Sequence, residues 1–165
     1  MRLKILLVGA VFVLSAGIAN AASGSRAQTL FNEGRALLDD GATERACTKL
    51  AESARLEPKL VTKLALAGCY DRLGRTASAW SEFRDVAALA AKAGESEWTR
   101  EAYALERVQA LEKKLVRLVV TVQEPTPGLV VWRNDVPVSA AQLGVAVVVD
   151  PGETLIAATA DGYEP

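Results

Sequence analysis

Side chains that could do chemistry are few in this chain and stand in patterns that suit structure better than catalysis. Its 165 residues include no histidine, so the usual general base and the usual metal ligand are both missing. No G-x-S-x-G, H-E-x-x-H, phosphate-binding loop, G-x-G-x-x-G or C-x-x-C occurs, which removes the common hydrolase, metalloprotease, nucleotide and redox signatures. Asp39-Asp40 and Asp150 are the acidic residues most open to a catalytic reading. They fall at an expected helix end and in an expected turn, where a cap and a turn residue are the simpler roles. The sequence therefore predicts no catalytic residue, no metal and no cofactor. The two cysteines, Cys47 and Cys69, lie 22 residues apart. They can form a single disulfide or stand as two small buried thiols, and export would favour the disulfide.

The elements that would position these residues are helices first. Ser25 followed by Gln28 reads as a capping box, and Leu30, Gly34 and Leu37 share one face at helical spacing. Asp39-Asp40-Gly41 stops that helix, with Gly41 supplying the left-handed turn. Thr43 is expected to cap a second helix that buries Ala46, Leu50 and Ser53 and ends at Pro58.

Shifted by 33 residues, Gly41 falls on Gly74, Thr43 on Thr76, Ala46 on Ala79, Leu50 on Phe83 and Leu56 on Leu89. Seven of the 33 positions from Ala27 to Lys59 are identical to their partners, above what chance supplies. Such a period means helix pairs stacked in series, each burying its face on the next. The spacing resembles the tetratricopeptide repeat. The small residue at the helix crossing is matched by Gly34 and Ala67, and the later aromatic by Tyr70, with Leu37 in the first copy. The Ala-x-x-x-Phe pair is matched by Ala79 and Phe83, with Ala46 and Leu50 in the first copy. The closing proline is Pro58, but Ala91 stands there in the second copy, so the fourth helix is expected to continue to about Ala93. Ser96 would cap a fifth helix from Glu97 to Leu115, burying a stripe of Trp98, Ala102, Leu105, Val108, Leu111 and Leu115. Cys47 and Cys69 would then sit on neighbouring helices.

Beyond residue 115 the period switches to two. Strands are expected at Arg117–Val122, Leu129–Arg133, Val136–Val138, Val145–Val149 and Thr154–Ala160. Asn134-Asp135 joins its strands as a two-residue hairpin. These short strands, with Asp150-Pro151-Gly152 before the last and Gly162-Tyr163-Glu164-Pro165 after it, are similar to the PEGA module of bacterial envelope proteins. Modules of that kind continue into further strands, so the chain reads as truncated or as leaving an open edge at Thr154–Ala160 for another chain to fill. The expected class is α+β: a signal peptide over 1–21, a helical array of about five helices over 22–115, and a small antiparallel, sandwich-like β module over 116–165.

The signal-peptide reading rests on Arg2 and Lys4, the apolar run Ile5–Leu14 and the Ala19-Asn20-Ala21 cleavage site, with processing expected after Ala21. The run is too short to span a membrane, which needs roughly 20 apolar residues, so no transmembrane anchor is expected after cleavage. Loss of Arg2 and Lys4 takes the basic residues from 19 to 17 against 20 acidic ones, a charge of −3. No excess of positive charge steers the protein to nucleic acid. The expected location is periplasmic or secreted.

The whole order resembles exported bacterial proteins that join tetratricopeptide-like helices to a PEGA-like module, which implies a binding role in the cell envelope. In the first reading the array is a non-catalytic scaffold for a protein or peptide. Phe31, Arg35 and Leu38 face its groove, together with Leu64, Gly68, Asp71 and Arg72, and Arg35 and Asp71 fix the ligand's register. Phe31 and Leu38 packing on the next helix is the competing reading. In the second, the β module binds polysaccharide or cell wall through Trp132. The open strand edge adds self-association by strand addition as a further partner mode.

Overall fold

The computed structural model describes residues 15–124 and 126–162, with side chains from Ser23 onward. The basic and apolar segment Arg2–Leu14, the side chains of the Ala19–Ala21 cleavage motif and residues 163–165 of the closing Gly-Tyr-Glu-Pro therefore lie outside the described residues. The fold is α+β. Five helices, α1 (Ser15–Asp39), α2 (Thr43–Leu56), α3 (Leu60–Arg72), α4 (Thr76–Ala93) and α5 (Trp98–Glu112), precede five short strands, β1 (Val116–Leu118), β2 (Val130–Arg133), β3 (Val136–Val138), β4 (Val147–Val149) and β5 (Ile156–Thr159). Among the described residues no helix is long and apolar enough to cross a membrane.

The helices pack in series, each chiefly on its neighbours in sequence. The 33-residue register is visible in the backbone. Gly41 and Gly74 both take positive φ, 77° and 70°. Around Gly41, its N–H donates to the Leu38 carbonyl and the Ala42 N–H to that of Leu37; around Gly74, the same bonds run to Asp71 and from Arg75 to Tyr70. Each is a Schellman closure, which satisfies the last free carbonyls of a helix and turns the chain back on itself. Sequence repetition has thus become geometric repetition.

Small residues set how closely the helices cross. A Cβ placed on Gly34 would come within 2.8 Å of Leu50 Cγ and 3.3 Å of the Ala46 carbonyl. Its counterpart Ala67 is fully buried with Ala79 and Phe83 in the second core cluster, which Val86, Ala87, Ala104 and Leu111 complete. The first cluster gathers Ala46, Cys47, Leu50, Ala54, Leu66 and Cys69. Within it Cys47 and Cys69 form a disulfide, 2.11 Å between sulfurs and 5.6 Å between Cα atoms, which ties α2 to α3. The buried Ser53 hydroxyl donates to the Ala27 carbonyl at 2.7 Å.

Three expected caps are not formed. Ser25 lies inside α1, because the helix begins ten residues earlier, at Ser15. Its carbonyl accepts from the Thr29 hydroxyl, and Gln28 donates to Asn32. Thr43 is the first residue of α2, and its hydroxyl donates back to the Gly41 carbonyl. Ser96 falls in a short 3₁₀ turn, Glu95–Glu97, and α5 starts one residue later, at Trp98.

The buried face of α5 keeps Val108 and Leu111 of the expected stripe but not Trp98 or Leu105. Trp98 is 71% exposed and Leu105 46%, whereas Ala104 and Leu111 are buried and Val108 packs beside them. The expected stripe followed the largest apolar side chains. The seam follows Ala104, whose small side chain lets α5 close on Phe83 of α4.

The β region forms two antiparallel sheets, β1–β4 and β3–β2–β5. Asn134 and Asp135 both take positive φ (46° and 64°) in the β2–β3 hairpin, as the mirror-image two-residue turn requires. Strands β1, β4 and β5 are shorter than the alternation suggested.

Candidate partner-binding groove

Sequence order puts α1, α3 and α5 on one side of the stack, and their facing surfaces enclose an open groove of about 360 Å³. Helix α1 contributes Arg35, Leu38 and Asp39. Helix α3 supplies Val61, Leu64, Ala65, Gly68, Cys69 and Arg72, positions that recur every three or four residues along one face. Tyr103 comes from α5. A Cβ added to Gly68 would meet nothing within 4 Å, so this glycine leaves free room in the floor.

Five of the seven residues anticipated for the groove are brought together: Arg35, Leu38, Leu64, Gly68 and Arg72. The other two are drawn away. Phe31 packs against the first core cluster, since an aromatic ring one turn before Arg35 gains more by closing on α2 and α3 than by facing water. Asp71 pairs with Arg107 of α5, whose guanidinium lies 6.0 Å from the Phe83 ring centroid. The groove residues that sequence reasoning missed are Asp39, Val61, Ala65, Cys69 and Tyr103. The i, i+4, i+7 series Val61, Ala65, Gly68 was a usable signal; Tyr103 was hidden by the misplaced stripe on α5.

Arg35 of α1 and Arg72 of α3 both line the groove. Among the described residues neither Arg35 nor Arg72 takes part in an ion pair. Lys63, on the same helix as Arg72, is matched. Lys63, 15% exposed, donates to Glu82 at 2.8 Å and Asp85 at 2.7 Å, holding α3 on α4. Burial pulls its ammonium down, but the hydrogen bonds and charges of those carboxylates outweigh it and keep the pKa above the ordinary lysine value.

A second cluster joins the two regions. Asp150, directly after β4, accepts from the Ser78 N–H at 2.8 Å, from the Ser78 hydroxyl at 2.5 Å and from Arg75 Nε at 3.1 Å. Arg75 precedes α4 without a side-chain cap of its own. The carboxylate thus reaches a free N–H in the first turn of α4 from 72 residues away, where an N-cap side chain would act. Burial raises the Asp150 pKa, but the bonds from Ser78 and the charge of Arg75 outweigh that and hold it below its usual value. The Arg75 guanidinium also lies over the Tyr70 ring, 4.4 Å from its centroid. Read from sequence as a turn residue, Asp150 is a latch. An open cleft of about 400 Å³ beside it is lined by Ser81 on one side and Arg133 and Glu153 on the other.

Trp132 is half-buried on the central strand, opposite Pro137 on β3 and Ala157 on β5. Strand β5 is a sheet edge, and all four of its residues are exposed. The other edge, β3, carries Pro137, which lacks the N–H that pairing needs.

Comparison with protein-family models, curated proteins and solved structures finds no match to this chain.

Proposed function

We propose that the protein is an exported, non-catalytic interaction scaffold of the bacterial cell envelope, a tetratricopeptide-like array with a PEGA-like β module, acting from the periplasm or outside the cell. One observation carries this reading: the open groove on α1, α3 and α5, with an apolar floor and two arginines that take part in no ion pair among the described residues. A concave surface with apolar side chains and a few convergent polar groups is the usual form of a binding site. The partner is a protein or peptide, since the groove is open and its lining mixes apolar side chains with charged ones. Gly68→Trp tests the reading, because the indole enters open space in the groove without meeting the core. Capture from an envelope fraction by the full-length chain should be lost with this variant while its helical circular dichroism is unchanged. Equal capture by both proteins contradicts the proposal.

A second partner mode is favoured by β5. Its exposed edge carries Ile156, Ala157, Ala158 and Thr159, with no charge, proline or bulge to discourage pairing. A strand from a second copy adds there by backbone hydrogen bonds. Ala158→Lys should abolish any concentration-dependent dimer seen in sedimentation. A wild-type chain that stays monomeric at high concentration rules this mode out.

A further inference from the structure

We propose that the groove selects a protein segment presenting an internal acidic side chain, aspartate or glutamate, beside apolar ones; this deepens the groove reading above and rests on it. Around the groove the chain carries two acids and two bases: Arg35, Asp71 and Arg72 of the anticipated set, and Asp39, which the fold adds. On that basis the surface would be neutral and indifferent to the charge of its ligand. The fold changes the balance. Asp71 is engaged by Arg107 of α5, which leaves Arg35 and Arg72 facing the groove against Asp39 alone.

The apolar half of the surface is equally open. Val61 is 47% exposed and Tyr103 48%, and Leu38 and Leu64 line the floor between the arginines' helices. A ligand that covers these side chains also strips water from the two guanidinium groups. An apolar or amide-bearing segment would leave them short of acceptors, at a desolvation cost. A lysine-bearing segment would meet like charge. A carboxylate offers paired acceptors that match the guanidinium fork, in a cleft where partial exclusion of water strengthens the attraction. The selectivity is thus built by an ion pair between α3 and α5 that removes the groove's second acid.

The test uses the full chain and three peptides of one leucine-rich sequence, N-acetylated and C-amidated, with Glu, Gln or Lys at the same internal position. Binding is followed by fluorescence anisotropy at low and raised salt. The Glu peptide should bind at least about tenfold more tightly than the Gln peptide, as one charge-assisted hydrogen bond supplies. The Lys peptide should bind most weakly, and salt should erode the Glu advantage. Arg35→Gln with Arg72→Gln should abolish the difference in affinity between the Glu and Gln peptides. A fourth peptide, the Gln sequence with a free C-terminus, separates a terminal carboxylate from an internal one. If it matches the Glu peptide, the internal side chain is not what is read and the proposal falls. Equal Glu and Gln affinities that are both lost in Gly68→Trp overturn the charge selectivity and leave the groove standing. Binding that survives Gly68→Trp, or no binding by any peptide, overturns both.

Discussion

The helical array and the β region differ in what holds them together. Every fully buried apolar side chain among the described residues, apart from Val131, lies on a helix. The array adds a disulfide, two repeated helix closures and the Lys63 network. The β region has strands of three or four residues, one buried valine, and Asp150 anchoring it to α4. Short two- and three-stranded sheets with little core are marginal alone. The array is therefore the rigid body that presents a preformed surface, and the β region borrows order from it.

Substitutions that remove comparable apolar contacts should separate the two. Phe83→Ala empties the centre of the second helical cluster and should cost about 3–5 kcal/mol in urea unfolding followed by circular dichroism. Val131→Ala removes the one buried side chain of the sheets and should cost about 1.5 kcal/mol. If Val131→Ala cost as much as Phe83→Ala, the contrast would be wrong.

Next in size is the disulfide. Replacing both Cys47 and Cys69 by alanine should lower the stability of the array by about 3 kcal/mol, the chain-entropy value for a loop of this length. The same measurement in reducing buffer should give the wild type a similar loss.

Asp150→Ala should cost about 1–2 kcal/mol, the range for loss of a helix N-cap, and should loosen the β region before the helices. Its folded pKa lies below the unfolded value. The contribution is therefore whole above about pH 4, the ordinary aspartate value, and declines as pH falls through the depressed folded value. Hydrogen exchange in β4 should rise over that acid range in the wild type and be high at all pH values in the variant. The smallest effect has the opposite sign. Gly68→Ala, inside α3 and facing open space, should stabilise the array by about 0.5–1 kcal/mol.

Legibility in the sequence follows the same division. The helical repeat could be read because each copy repeats its stop glycine, its crossing residue and its core positions at one spacing, and local chemistry fixes all three. Gly34, Ala67, Ala46, Leu50, Ala79 and Phe83 all stand where periodicity placed them. The α5 seam was misread because the closest approach selects Ala104, while apolar size points to Trp98. Caps at Ser25, Thr43 and Ser96 were misread because a side chain able to cap also sits comfortably within a helix or a turn. Two ion pairs were beyond reach. Asp71 with Arg107 and Asp150 with Arg75 join residues 36 and 75 positions apart, and one sequence holds no signal for such distant partners. Those two pairs decide the charge of the groove and the attachment of the β region, so the site was less legible than the fold.

The most direct test of the groove as the binding surface is hydrogen–deuterium exchange of the full chain, alone and with a partner captured from envelope extract. The account predicts slowed exchange on binding at the ends of α1 and α3 that carry Arg35–Asp39 and Val61–Arg72, and around Tyr103. Slowed exchange confined to Ile156–Thr159, with α1 and α3 unchanged, would contradict it.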